Sequence, residues 1–470
     1  MAVLSAFVAV MVTVFGAAPI RPVITGDASV ISSPITQNVT GTVDVFDASV
    51  DHEISVDINA AEYQDMIETY QKEGEKDWVS AEVTIDGTLL TDVAVRLKGN
   101  STLSSLRGIT IPGGGARPGG EVEHNEQVAD GVPVSAVGPG AETRRGGLAR
   151  MVTLDADDPT SLPLLLSFNE YVEGRAYQGM TELSIRPGSP VLNEAVALAI
   201  TAETGQPSQR FGYVVYTVNG APSQTRLVLE HPDESYADAL DDGDGVLYKI
   251  TADASFSYQG DDQTTYTEQF TQINGQGSVD LQPIISFLKW LDAADDATFA
   301  AELGDWVDTV SLARYIATQN LLVNFDDIGG PGRNGFLFYD LDTEKLSVVS
   351  WDLNLALQSD STAGPHDTIG FDLGSAGAPA EMPSGLGHIE FGNALKDRYL
   401  SSTAFTAEYE TAYRGLYDEL FADGRAVEIA RSVVAAVPTS AGLTTESLLT
   451  QTDELVGRLQ RRGEATRSFR

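Results

Sequence analysis

One stretch, residues 324–357, restricts the fold of this chain more than any other because its pattern predicts a hairpin. Residues 336–339 and 346–350 are largely apolar and rich in aromatic and β-branched side chains, a composition that favours two strands. Residues 340–345 are polar and form the predicted turn between them. Since the strands of a hairpin run antiparallel, the chain is expected to return to the point where it entered.

A carboxylate stands at each end of the predicted hairpin, because Asp326 precedes it and Asp352 follows it. Protein kinases share this layout: one aspartate orients or deprotonates the attacking hydroxyl, an asparagine holds a metal ion, and a second aspartate bridges Mg²⁺ between the phosphates of ATP. Asn334 lies between the two aspartates, just before the first strand. The pattern therefore predicts a cleft in which Asp326, Asn334 and Asp352 serve phosphoryl transfer.

Two other interpretations of these residues stay open. Aspartate and asparagine close to glycines commonly cap turns, so Asp326 and Asn334 fit a purely structural role as well. Paired carboxylates also act as acid and nucleophile in glycosidases. That third interpretation is the weakest, because such sites favour aromatic sugar platforms and the predicted order of elements is not that of a barrel.

The first half of the chain shows the order strand, strand, helix, strand, strand. The periodicity predicts strands at residues 162–168, 181–186, 212–218 and 225–229 and a helix at residues 192–204. In the amino-terminal lobe of a protein kinase, which has this order, a glutamate on the helix pairs with a basic residue at the phosphates. Glu194 is the candidate glutamate, and Arg186 or Lys98 is its candidate partner. An acidic residue in the first turn also favours the helix dipole, so a structural role for Glu194 stays open.

Three more residues are candidates for nucleotide binding because of where they stand on predicted strands. Lys98 follows the strand predicted at residues 93–97, where it either meets a phosphate or is an ordinary edge lysine. Lys249, on the strand predicted at residues 246–250, is either a phosphate contact or a solvated lysine. Glu230 ends the strand before His231 and Pro232, where a nucleotide-contacting hinge would run.

The segment N-F-D-D-I-G-G-P-G-R-N-G-F-L-F-Y-D from Asn324, followed by V-V-S-W-D-L-N, resembles the core of the CotH (spore-coat protein H) kinase family. Further matches are R-L-K-G-N-S at residues 96–101, F-N-E-Y-V-E-G-R-A-Y-Q-G at 168–179, L-N-E-A at 192–195, V-N-G at 218–220, L-V-L-E at 227–230 and L-Y-K at 247–249. Together the matches extend over residues 42–425. Two departures stand out: Asn354 replaces the second aspartate of W-D-x-D, and residues 161–163 lack the basic side chains of many relatives.

This resemblance implies an α+β fold, a divergent protein-kinase-like arrangement of a β-rich N-terminal lobe and a helical C-terminal lobe. It also implies a secreted enzyme that uses ATP and Mg²⁺ to phosphorylate Ser or Thr of a coat or extracellular protein. Asp326 then becomes the base, Asp352 the metal ligand and Trp351 a packing or nucleotide-side aromatic residue. The departures keep an alternative open, a non-catalytic surface or coat-assembly protein that retains the fold.

The amino-acid composition restricts which classes of binding partner and which cellular location are expected for this chain. A formal net charge of −39 argues against binding to nucleic acid or to an anionic membrane surface, since both need a basic surface. There is no cysteine, which excludes disulfides and thiolate metal sites. The uncharged apolar run at residues 2–20 predicts a signal peptide or a membrane anchor, and hence a secreted or cell-surface protein. The sequence does not indicate the oligomeric state.

The expected domain organisation follows from these patterns. It comprises a signal peptide or anchor at residues 1–20, a linker at 21–41, a β-rich lobe at 42–250 with a flexible Gly-rich insertion at 108–150, and a helical lobe at 251–465 that contains the hairpin at 324–357. Beyond the elements above, the pattern predicts strands at residues 54–58 and 78–85 and helices at 60–72, 281–293, 296–303, 310–323, 395–400, 409–421, 427–435 and 445–461.

Overall fold

The computed structural model describes residues 35–99, 101–107, 154–240, 244–370 and 392–469. The predicted signal peptide or anchor, the Gly-rich insertion at 108–150 and most of the predicted linker lie outside these residues. Within the described ranges, every helix is too short or too polar to traverse a bilayer.

The described residues form a mixed α/β fold in which strands dominate the first half and helices the second. The strands are β1 (Gln37–Val39), β2 (His52–Ile58), β3 (Val79–Ile85), β4 (Thr88–Leu97), β5 (Leu164–Ser167), β6 (Arg175–Tyr177), β7 (Glu182–Ile185), β8 (Phe211–Val218), β9 (Gln224–Glu230), β10 (Gly245–Ile250), β11 (Phe270–Gln272), β12 (Gly335–Asp340) and β13 (Lys345–Ser350). The α-helices are α1 (Ala60–Glu73), α2 (Leu192–Glu203), α3 (Glu234–Asp238), α4 (Gln282–Ala293), α5 (Asp296–Trp306), α6 (Thr309–Leu321), α7 (Ala394–Ser401), α8 (Thr406–Leu420), α9 (Arg425–Ala435) and α10 (Thr445–Thr466).

Seven strands close into a barrel in the order β2-β3-β4-β5-β7-β9-β8. The barrel closes where β2 pairs parallel to β8, whereas its other neighbours are antiparallel. The inside face of the barrel follows from the alternation of side chains along its strands. In β2 and β3 every second residue is buried, and the apolar ones among them belong to one hydrophobic core. The expectation that the order of elements would not give a barrel was therefore wrong.

A second, four-stranded sheet has the order β11-β10-β12-β13 and contains the predicted hairpin. In the hairpin, Gly335 pairs with Ser350 and Asp340 pairs with Lys345. β10, which the sequence analysis assigned to the N-terminal lobe, pairs antiparallel with β12. Gly245 is required there, because a Cβ atom at this position would lie 2.1 Å from the ring of Phe338. The sheet therefore joins the end of the first half of the chain to the hairpin.

The largest hydrophobic core packs α2 and the helices of the second half against this second sheet. A smaller cluster, which includes Leu247, Phe336, Val349 and Trp351, covers the other face of the sheet. Trp351 is 6% exposed. Its buried ring fixes the direction in which the chain leaves β13, and Asp352 follows directly.

Four short elements differ from the sequence-based expectation, and one of them is β11, a three-residue strand where the sequence predicted none. β1 lies in the predicted linker, where it pairs parallel to β6, and neither strand was predicted because each has only three residues. α3 follows the predicted break at His231 and Pro232, because the Asp233 side chain caps the helix by accepting from the Tyr236 amide. These differences leave the predicted helices and the other predicted strands within a few residues of their positions.

Candidate active site

Arg186 connects two carboxylates that lie far apart in the sequence. It follows β7 directly, and its Nε donates to Glu194 Oε1 at 3.0 Å. Its Nη2 also contacts Glu194 and lies 2.5 Å from Asp352 Oδ1. Glu194 is fully buried on the first turn of α2, and Asp352 follows β13. One guanidinium therefore joins the barrel, a helix and the hairpin.

The charges in this network depend on each other because burial disfavours each of them alone. Burial would raise the pKa of Asp352, but Arg186 and Lys98 outweigh it and hold that pKa below its ordinary value. For Arg186, Asp352 and Glu194 outweigh burial and raise the pKa. Burial raises the pKa of Glu194 against the opposing effect of Arg186. Arg186 and Asp352 are therefore charged at neutral pH.

Two lysines lie beside the same aspartate, over one aromatic ring. Lys98 Nζ is 5.0 Å and Lys249 Nζ is 5.2 Å from the ring centroid of Trp351. Burial, followed by repulsion from Arg186, lowers the pKa of Lys98 to about 7. Burial also lowers the pKa of Lys249, and Asp352 opposes that shift. A chain with a net charge of −39 thus gathers buried positive charge around Asp352.

The sequence analysis missed two titratable residues at this site. The His231 ring meets the Trp351 ring edge-on at 5.6 Å, and His231 Nε2 is 3.5 Å from Glu182 Oε2. Burial and the nearby Lys98 hold the pKa of His231 well below its ordinary value. Burial, with repulsion from Asp233, raises the pKa of Glu182 to about 7. The sequence places each residue at a strand end, which was the one available signal, and their burial depends on the tertiary fold.

Asp326 lies in the loop between α6 and the hairpin, and the loop backbone and an amide hold its carboxylate in place. Oδ1 accepts from the Gly332 amide at 2.5 Å, and Oδ2 accepts from Asn334 Nδ2 at 3.0 Å. Glycine is needed at 332, because a Cβ atom there would lie 2.7 Å from Asp326 Oδ2. The structure therefore places Asn334 against Asp326.

The pKa of Asp326 shows that the two hairpin aspartates share one electrostatic environment. Burial raises this pKa to about 6, the Gly332 bond opposes the rise, and repulsion from Asp352 adds to it. The charges of Asp326 and Asp352 therefore repel each other. At neutral pH, Asp326 is largely ionised but more basic than an exposed aspartate.

The neighbouring Asp327 has a structural role. It is 2% exposed and forms an ion pair with Lys396 on α7, while its Oδ1 accepts from the Gly329 amide at 2.8 Å. Asn324 supports the same loop, since its Oδ1 accepts from the Asp326 amide at 3.3 Å. These contacts explain why the loop presents Asp326 rather than Asp327 beside Asn334.

Glu230 is the one candidate that the structure does not bring to this group. Its Oε1 accepts from Arg210 Nη2 at 2.7 Å, and its Oε2 accepts from the Arg210 amide at 3.1 Å. Its backbone amide donates to the Arg210 carbonyl at 2.9 Å, and its carbonyl accepts from Gln209 Nε2. A residue with these partners holds the end of β9 in place, which leaves little capacity for a nucleotide.

The donor set suits Mg²⁺ better than a protein-enclosed metal. Among the described residues, no group of three or more His, Cys, Asp or Glu side chains is arranged to hold a metal ion. Mg²⁺ is commonly bound by one or two carboxylates together with substrate phosphates and water. Asp352 and the Asp326–Asn334 pair supply that kind of oxygen ligand.

Comparisons with known proteins matched a family model and solved structures. The family model described as CotH kinase protein matches residues 168–446. A solved structure of the HipA, HipB and operator DNA complex of Shewanella oneidensis MR-1 is similar over 61% of this chain and 58% of that chain, with 8% identity and a TM-score of 0.31. The chain thus spans less than two thirds of that protein. No curated protein sequence matched.

Proposed function

This chain belongs to the CotH kinase family, and on that premise we propose that it is an atypical protein kinase that transfers the γ-phosphoryl group of ATP to a Ser or Thr hydroxyl. The observation that carries the proposal is the position of Arg186 between Glu194 and Asp352. Protein kinases need both a basic residue paired with a helix glutamate and an aspartate for Mg²⁺. Here one arginine contacts both carboxylates, which lie on a helix and after the hairpin.

Asp326 is the proposed base. Its carboxylate is held by Gly332 and Asn334, so its orientation is set before a hydroxyl arrives. A base is most effective when its pKa lies near the working pH, and burial raises the pKa of Asp326 to about 6. Asp326 would therefore orient the acceptor hydroxyl and take up its proton.

Asp352 is the proposed metal ligand, with Asn334 as a second candidate. Within the described ranges, Asp352 accepts from Arg186 through Oδ1 only, and it is held ionised by its basic neighbours. An ionised carboxylate with a second oxygen fits the needs of Mg²⁺. When bound there, Mg²⁺ would neutralise charge on the ATP phosphates.

The phosphates are the proposed partners of the buried basic groups. Lys98, Lys249 and Arg186 together face two carboxylates, Asp352 and Glu194, so the site holds positive charge for an anion. Burial strengthens this attraction because less solvent screens it. Trp351, beneath the two lysines, would complete the wall beside the nucleotide.

The proposal also covers the location of the enzyme and the protein that accepts the phosphoryl group. We propose a secreted or cell-surface enzyme that acts on a coat or extracellular protein, as the resemblance implies. The apolar run at residues 2–20 supports export. The net charge of −39 favours a protein partner over nucleic acid or an anionic membrane.

A second candidate function is a non-catalytic surface or coat-assembly protein. Asn354 favours it, since this position carries an aspartate in the W-D-x-D motif. An amide is a weaker metal ligand than a carboxylate, so the change would reduce metal-dependent turnover first. Asn354 is not part of the hydrophobic cores, so a scaffold would persist without turnover.

Calorimetric titration with ATP separates the two candidates. With Mg²⁺, the full chain should bind ATP saturably, and without Mg²⁺ binding should weaken by about tenfold or more. Asp352→Asn should lose the dependence on Mg²⁺, whereas Asp342→Asn, in the exposed hairpin turn, should leave it unchanged. Absence of Mg²⁺-dependent binding in the unmutated protein would overturn the kinase proposal and favour the scaffold.

A further inference from the structure

Gln319, on the last turn of α6, connects the two chain segments that carry Asp326 and Asp352. Its Nε2 donates to Ser350 Oγ at 2.9 Å, and its Oε1 accepts from Asn324 Nδ2 at 2.8 Å. Ser350 ends β13 and stands two residues before Asp352, and Asn324 stands two residues before Asp326. One side chain therefore bonds to both segments, at the same distance along the chain from each aspartate.

The bonds of Gln319 complete a closed cycle of contacts that includes Asp326. Asn324 Oδ1 accepts from the Asp326 amide at 3.3 Å, and Asp326 Oδ2 accepts from Asn334 Nδ2 at 3.0 Å. The residue after Asn334 pairs with Ser350 in the hairpin. Because Ser350 also accepts from Gln319, which in turn accepts from Asn324, the cycle closes. A shift of any member therefore strains its neighbours on both sides.

The same face of α6 supports the Asp326 loop at a second point. Tyr315 lies one turn before Gln319, and residues four apart on a helix share a face. The Tyr315 hydroxyl accepts from the Ile328 amide at 3.3 Å. The helix therefore holds the loop on both sides of Asp326, at Asn324 and at Ile328, and Gln319 adds the contact with the hairpin.

Burial makes the bonds of Gln319 costly to lose. Gln319 and Asn324 are each 2% exposed, and Ser350 is buried too. A buried polar group that loses its partner pays for its desolvation without compensation. A glutamine side chain has one donor group and one acceptor, so it can donate to the Ser350 hydroxyl and accept from the Asn324 amide at once.

The two aspartates need a link of this kind because their charges repel each other. Ionised carboxylates have no donor to offer each other, so no direct bond can fix their separation. Arg186 holds Asp352 and the Gly332 amide holds Asp326, each from its own side. Gln319 is neutral, and it joins the two segments without changing the charge between them.

We propose that Gln319 is a positioning residue that makes the Asp326 and Asp352 segments move as one unit and so fixes the distance between the proposed base and the proposed metal ligand. The catalytic part of this inference rests on the proposed kinase function, whereas the coupling of the two segments does not. Since Asp352 keeps its bond to Arg186 without Gln319, loss of Gln319 should affect the transfer step and not the affinity for ATP.

Gln319→Met tests the catalytic part, because it keeps the length of the side chain and removes both hydrogen bonds. In transfer of ³²P from γ-labelled ATP with Mg²⁺, its kcat should fall at least about tenfold through misplacement of Asp326. Its KM for ATP should stay within about twofold of the unmutated value. Ser350→Ala, which removes only the contact with the hairpin, gives a second arm if Gln319→Met does not fold, and it should also lower kcat at unchanged KM.

Thr318→Val is the matched control. Thr318 is fully buried on the same turn of α6, and its Oγ1 accepts from Gln206 Nε2 at 2.6 Å. The variant therefore also removes a buried hydrogen bond of this helix, but one that does not reach either aspartate, and it should keep the unmutated kcat. Equal losses of kcat in Thr318→Val and Gln319→Met, or an unchanged kcat in folded Gln319→Met, would overturn the positioning role.

Amide hydrogen exchange of the full chain without nucleotide tests the coupling by itself. In Gln319→Met, residues 324–332 and 350–357 should both exchange about fivefold faster, the effect of one lost hydrogen bond on local opening. Unchanged exchange in either segment would overturn the coupling. Absence of transfer by the unmutated protein would overturn the kinase function and the catalytic part of the inference with it, while faster exchange in both segments would still support the coupling.

Discussion

Arg186 and Asp352 are 166 residues apart in the sequence, yet the guanidinium Nη2 lies 2.5 Å from the aspartate Oδ1. This contact links the first residue after β7 to the second residue after the hairpin. Because Arg186 also pairs with the fully buried Glu194, its removal would leave two carboxylates without their main counter-charge. The network is therefore a point where folding and the proposed activity depend on the same atoms.

Arg186→Met should be strongly destabilising. Removing one partner from a buried ion pair typically costs about 3–5 kcal/mol, since the remaining charge stays buried without compensation. Denaturant unfolding measures the effect. Arg414→Met is the matched control, because Arg414 pairs with Glu410 on the surface and such pairs contribute about 0–1 kcal/mol. Similar losses in both variants would contradict the role given to Arg186.

The pH profile of phosphate transfer should show an acidic limb at about pH 6, set by Asp326. Its pKa is raised by burial to about 6, so protonation below that pH removes the base. The value of kcat/KM should fall about tenfold for each pH unit below 6. Assays from pH 4.5 to 8 with saturating Mg²⁺ measure the limb. A limb near pH 4, the ordinary range of an aspartate, would contradict the assignment.

ATP affinity should decrease as pH rises above 7 because Lys98 loses its charge. Burial and repulsion from Arg186 lower the pKa of Lys98 to about 7, so its positive charge is present below that pH and lost above it. Lys98→Arg should remove the dependence, since arginine stays protonated throughout. Titrations between pH 6 and 9 measure it, with Lys289→Arg, at an exposed lysine, as the control. A flat profile in the unmutated protein would exclude Lys98 from phosphate binding.

Gly332→Ala should reduce activity while the fold persists. A Cβ atom at 332 would lie 2.7 Å from Asp326 Oδ2 and 2.9 Å from Asn334 Nδ2, so both side chains must move. A displaced base costs at least about tenfold in kcat/KM. Gly304→Ala, on a helix where the new Cβ meets nothing within 4 Å, should keep full activity and gain slight stability. Full activity of Gly332→Ala would show that the position of Asp326 is not critical.

Local patterns predicted most elements of the fold but not how distant elements meet. The hairpin and the helix of Glu194 follow from periodicity, which depends only on neighbours in the chain. Closure of the barrel depends on a parallel pairing in which His52 faces Val214, and no local signal specifies such a partner. The three-residue strands β1, β6 and β11 are too short for any periodicity.

The sequence predicted those residues of the candidate site whose role follows from residue type and from order along the chain. Asp326, Asn334 and Asp352 were expected around one hairpin; Asn334 donates a hydrogen bond to Asp326, and the charge of Asp352 raises the pKa of Asp326. Glu182 and His231 were missed because their shifted pKa values arise from burial by other elements. Glu230 was expected at a hinge, but its partner Arg210 is a tertiary contact that the sequence does not reveal.

The most direct test of the central claim is transfer of ³²P from γ-labelled ATP to protein, with Mg²⁺, by Asp326→Asn and by the control Asp342→Asn. Folding raises the pKa of Asp326 from 3.8 to about 6, so ionisation of Asp326 opposes folding as pH rises through this window. Asp326→Asn should therefore melt no lower than the unmutated protein at pH 8, while its transfer rate falls at least about a hundredfold. Asp342→Asn should transfer at the unmutated rate. Undiminished transfer by folded Asp326→Asn would contradict the account.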